Sequence, residues 1–75
     1  MKPDTIIQKL RKIKGVEQAE FCPLKEKQCI AFIVRMKKDH RFGIALHAYA
    51  RGNDVHITER SVASFIKNIK NIING

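Results

Sequence analysis

The chain changes its hydrophobic period twice. Near the start, Ile6, Leu10 and Ile13 recur at helical spacing with Ile7 beside them, while Lys9, Arg11, Lys12 and Lys14 take much of the remaining circumference. Pro3-Asp4 opens this predicted helix; Asp4 is expected to cap the free N–H groups of the first turn, and Gly15 to take a left-handed conformation after the last. The result is a short amphipathic helix with a basic outer face. Cations near its C-terminus also suit the helix dipole, which explains one or two of the four rather than all.

From residue 16 the period becomes two. Residues 16–22 predict a first strand, with Ala19 and Phe21 on one side and Gln18 and Glu20 on the other. Residues 23–28 read as a polar turn. The clearest strand is 29–36: Ile30, Phe32, Val34 and Met36 form one face, and Cys29, Ala31, Ile33 and Arg35 the other. Lys37-Lys38-Asp39-His40 makes a hairpin turn. Residues 41–50 then alternate Phe42, Ile44, Leu46 and Ala48 against Gly43, Ala45, His47 and Tyr49. One bulky face and one face of smaller residues fit a sheet covered by helices on one side.

Residues 51–54 form a turn, and 55–57 are a short strand or extended chain. Thr58 caps a second helix over 59–73, where Val62, Phe65, Ile66, Ile69, Ile72 and Ile73 restore the 3.6 period. Its outer face carries Arg60, Lys67, Asn68, Lys70, Asn71 and Asn74. Seventy-five residues allow one domain. The fold class is therefore α+β: a helix, a three-stranded antiparallel sheet and a helix in one basic domain over 1–75, with both helices on one face.

Charge narrows the choice of partner. Fifteen Lys and Arg oppose seven Asp and Glu, for a formal net charge of +8. A one-signed surplus costs self-repulsion and raises attraction for anions, whereas solubility alone needs only mixed charge. The surplus is uneven: residues 1–15 carry five bases and one acid, and residues 29–41 four bases and one acid. The basic surface thus comes from the first helix and the central hairpin. Charges at Lys9, Arg11, Lys12 and Lys14 interrupt any secretory apolar region, and the longest apolar run, 30–34, is far shorter than a membrane span. A cytoplasmic protein with no membrane partner is expected, and Cys22 and Cys29 then read as thiols.

Arg35, Lys37, Lys38, His40 and Arg41 at the hairpin are the sharpest local feature, because a rigid ribbon can present basic side chains to a phosphate backbone. Lys9, Arg11, Lys12 and Lys14 form a second group, and Lys67 and Lys70 a weaker third. Cys22, Cys29, His40, His47 and His56 invite a zinc reading, but the cysteine spacing lacks the short zinc knuckle and the histidines lie on different elements. No metal and no cofactor are expected. His47 or His56 could serve as a general acid or base, yet neither has a placed carboxylate partner. Tyr49 shares the face of His47 and could stack a base, although one tyrosine does not make a platform. With no phosphate loop, paired acidic site or nucleophile elbow, no catalytic residue is assigned.

The helix–three strands–helix order resembles the double-stranded-RNA-binding-like fold, which includes HicA-type toxins, mRNA interferases that pair with an antitoxin. Residues 52–67 are similar in character to the last loop and closing helix of that family. The family's catalytic histidine lies in a Gly-Ser-His run at the start of the second strand, where this chain has Lys27-Gln28-Cys29. The resemblance therefore implies an RNA-facing domain and does not carry the cleavage activity over.

The leading expectation is a non-enzymatic regulator that binds DNA or RNA through phosphate contacts from the hairpin and first helix. A second class is a small inhibitor, of phage or mobile-element type, presenting its basic surface to an acidic protein or to a nucleic-acid-processing enzyme. A HicA-like toxin is the third. Sequence readout, oligomeric state and whether the two basic groups share a side are not legible at this level.

Overall fold

The order of elements is α1 (Pro3–Arg11), β1 (Val16–Leu24), β2 (Cys29–Met36), β3 (Gly43–Arg51), β4 (Asp54–His56) and α2 (Glu59–Asn74). A computed structural model describes residues 1–24, 28–38 and 43–75. The strands form one antiparallel sheet in the order β1-β2-β3-β4. The α+β class and the helix–sheet–helix order are as the periodicity predicts, with 54–56 resolved as a fourth strand.

Pro3 occupies the start of α1, but Lys2 is the N-cap and no side chain caps the helix; Asp4 lies inside the first turn instead. There its charge still favours the positive helix end. The helix stops at Arg11, earlier than the apolar spacing suggests. Ile13 N–H donates to the Leu10 carbonyl and Val16 N–H to that of Ile13, each at 3.2 Å, closing tight turns that still bury Ile13. Gly15 follows at φ +99°.

Sheet register separates the two faces. Ala19–Val34–Ile44, Phe21–Phe32–Leu46 and Pro23–Ile30–Ala48 are cross-strand rows, and Ala50 pairs with Val55. Of these, Ala19, Ile30, Phe32, Val34, Ala48 and Val55 meet Ile6, Ile7, Leu10 and Ile13 from the α1 segment and Val62, Phe65 and Ile69 from α2 in one core. Ile44, Leu46 and Ile66 are half-buried at its margin, and Ile72, expected to be inward, is exposed. Phe42 lies outside the described residues. The other face carries Gln18–Arg35–Gly43, Glu20–Ile33–Ala45, Cys22–Ala31–His47 and Leu24–Cys29–Tyr49–His56.

Two departures have local causes. A bulge between Val16 and Gln18 places one extra residue in β1, so Val16 pairs with Met36 towards the core while Gln18 pairs with Arg35 on the open face. Pro23 and Leu24, read as turn, continue β1 opposite Ile30 and Cys29. A proline lacks the ladder N–H, and β1 is an edge strand, where one can be accommodated. At the far edge, Arg51-Gly52-Asn53-Asp54 joins β3 to β4, with Gly52 at φ +62° as the first central residue of a two-residue turn.

Thr58 is the N-cap of α2, as its position before the apolar period predicts: its Oγ1 accepts from Ser61 N–H at 3.1 Å. Thr58→Ala is expected to cost about 1 kcal/mol, seen as a fall of roughly 4–8 °C in Tm. A melt unchanged from wild type would show that the cap contributes nothing.

Candidate nucleic-acid interface

Lys37 N–H donates to the Gly15 carbonyl at 2.9 Å. This bond lays the outgoing end of β2 against the turn that follows α1. It therefore sets the turn that carries Lys12 and Lys14 beside the end of β2 that leads into Lys37 and Lys38, all four exposed, at one pole. The C-terminal half of α2 completes the pole. Lys14, Gly15, Lys70, Ile13, Ile73 and Asn74 line a single cleft of about 460 Å³. Lys70, the weaker candidate by sequence, is thus brought beside Lys14. Only the tertiary packing of the helix ends reveals this.

The other described basic candidates lie on α1, α2 and the open sheet face. Lys9 is exposed on α1; Arg11, the last residue of the helix, donates from Nε to the Ala19 carbonyl at 3.3 Å and so lies along β1. Arg35 is exposed on the open sheet face, in a shallow pocket with Gln18, Glu20 and Ile33. His40 and Arg41 lie outside the described residues. Lys67 is exposed on α2, whereas Arg60 lines a different cleft with Leu46, Ser61, Ser64, Phe65 and Asn68.

Among the described residues, no ion pair engages Lys12, Lys14, Lys37 or Lys38. Among the described residues the one ion pair is at the opposite end, where the Met1 ammonium lies 3.1 Å from Asp54 Oδ1. That hydrogen bond and the ammonium charge hold the Asp54 carboxyl below its usual range, with smaller help from the charges of Lys2 and His56 against a slight desolvation. Met1 N also donates to the Val55 carbonyl at 3.2 Å. Glu17, at the bulge, is the described acid nearest in sequence to the pole. Glu20 accepts from the Gln18 amide on the open face.

Gly15 is the mechanical joint of this arrangement. A Cβ there would stand 2.9 Å from Ile73 Cγ2, and φ +99° is a conformation L side chains rarely adopt. Gly52 shares a positive φ but a Cβ there meets open space. Gly15→Ala should destabilise by more than ~1 kcal/mol and by more than Gly52→Ala, read from urea midpoints. Equal costs would mean that contact with Ile73 adds nothing.

No group of three or more His, Cys, Asp or Glu able to hold a metal occurs among the described residues. Cys22 is exposed and Cys29 half-buried, both as free thiols; their Sγ atoms approach only neighbouring carbonyls. His47 shares its face with Tyr49, as alternation predicts. His56 joins them through pairing with Tyr49 across β3–β4, which the sequence does not foretell. No helix among the described residues is long and apolar enough to cross a membrane. No protein-family model, curated protein or solved structure matches this chain.

Proposed function

We propose that this domain binds the phosphate backbone of DNA or RNA through its basic pole, and acts by binding rather than by catalysis. The observation that supports the reading is the Lys37–Gly15 backbone bond, which sets the two basic runs side by side. Lys12, Lys14, Lys37 and Lys38 are the phosphate-contacting residues, with Lys70 alongside and Arg11 and Arg35 at the margins. Exposed ammonium groups can replace the counterions of a nucleic acid, and that replacement makes affinity salt-dependent. Such contacts position a partner without reading its sequence.

The test is a binding titration against duplex and single-stranded DNA and RNA across a salt series. Affinity that falls steeply with salt for at least one of these polymers supports the reading. Absence of binding to all four at low salt overturns it. Capture of one protein with an affinity that survives moderate salt would instead favour the inhibitor class, because a packed interface depends less on released counterions.

A further inference from the structure

We infer that the helix-free face of the sheet takes the bases of a single-stranded nucleic acid, stacked on Tyr49 and His47, while the basic pole holds its phosphates. This rests on the proposed function and specifies its substrate as a single strand rather than a duplex, whose bases are already paired and stacked.

Tyr49 is 49% exposed, yet its ring is held in place. Its hydroxyl donates to Gln28 Oε1 at 3.0 Å, and the His56 ring stands 5.3 Å away at 53°. An aromatic surface fixed before binding loses little freedom when a base settles on it. His47 is the next residue on this face of β3, about 6.6 Å along the strand. Gly43, Ala45 and Ala31 floor the face around it, and Ile33, exposed opposite Ala45, adds an apolar side chain beside the track. Arg35 and Arg51 lie on this same face, Arg35 beside Gly43 at one end of β3 and Arg51 at the other. Arg35 is two residues before Lys37, so the track over β3 runs into the basic pole. The described acids of this face are Glu20, on β1 and bonded by Gln18, and Asp54, which pairs with Arg51 across β3–β4 and is bound by the N-terminal ammonium. An arginine at each end, a fixed aromatic ring and an open apolar floor are what a stacking groove for single strands requires.

Tyr49 is the only tyrosine and the chain has no tryptophan, so intrinsic fluorescence reports this face alone. The full chain is titrated with oligo-U and oligo-dT of about twelve nucleotides, within the span such grooves cover, and with a duplex of equal length. Single strands should quench the tyrosine and bind more tightly than the duplex, which should leave fluorescence unchanged. Tyr49→Ala should weaken single-strand binding about tenfold with the salt slope unaltered, whereas Tyr49→Phe, which keeps the ring, should stay within about twofold of wild type. A thermal melt checks that both variants fold, and the fluorescence of the unaltered chain provides a readout independent of them. Absence of quenching, or duplex preferred over single strand, overturns the inference. If Lys37→Ala still weakens binding in that case, the basic-pole reading survives without it. If no polymer binds at all, both fall together.

Discussion

Phe32→Ala is expected to remove a large share of the stability of this domain. Phe32 is fully buried in the central strand, opposite Phe21 on one side and Leu46 on the other. Truncating a buried phenylalanine costs roughly 3–5 kcal/mol, from lost transfer energy and the cavity left behind. At about 0.05–0.15 kcal/mol per residue, a chain of 75 residues has only ~4–11 kcal/mol in total. The variant should therefore lose at least about 12 °C in Tm, since each kcal/mol corresponds to roughly 4–8 °C in so small a domain. Phe21→Ala is the internal comparison. Its ring lies 6.2 Å from that of Phe32 but on the edge strand, 37% exposed, so its loss should cost markedly less. Equal costs for the two would contradict the placement of β2 at the centre and β1 at the edge.

Much of this core is legible in the sequence because burial and periodicity agree there. The alternation of Ile30, Phe32, Val34 and Met36 specifies which face of β2 is inward, and its pairing partners follow the same parity. Where the two signals disagree, parity alone misleads. Val16 is out of phase with Ala19 and Phe21, and only a bulge lets it be buried while Glu17 stays in water. Pro23 reads as a turn because proline cannot serve a central strand, but β1 is an edge. Ile72 matches the helical period of α2, yet it is 39% exposed. The three residues of β4 are too few to show a period; pairing with β3 makes them a strand.

The candidate sites divide along the same line. Each basic run is visible in the sequence, since charge needs no partner to be counted. Their union is not, because it depends on a backbone bond between residues 22 positions apart, Gly15 and Lys37. Lys70 joins them for a similarly non-local reason, the closeness of Ile73 to Gly15. On the open face, alternation places Tyr49 with His47, but the addition of His56 and Gln28 to Tyr49 requires the β3–β4 register and the end of the β1–β2 connection.

Replacing Lys12, Lys14, Lys37 and Lys38 together by alanine should remove nearly all of the salt dependence of nucleic-acid binding. If those four ammonium groups neutralise about four phosphates of a duplex, log affinity falls with log salt at a slope near −3.6, at about −0.9 per phosphate. Between 50 and 200 mM salt that slope is worth about 150-fold in affinity, an effect larger than any single contact. Lys37→Ala or Lys38→Ala alone should flatten the slope by about one unit and weaken binding similarly for every sequence tested. Lys70→Ala should act in the same direction, and Glu17→Gln should leave binding unchanged or strengthen it. The discriminating control is Lys2. It carries the same charge but sits at the other end of α1, roughly 14 Å away along a helix of nine residues. If attraction came only from the net charge of +8, Lys2→Ala would flatten the slope as much as Lys37→Ala. A localised interface requires instead that Lys2→Ala leave the slope near its wild-type value. Equal effects from the two ends would show diffuse attraction to the whole domain and would remove the basic pole as the site.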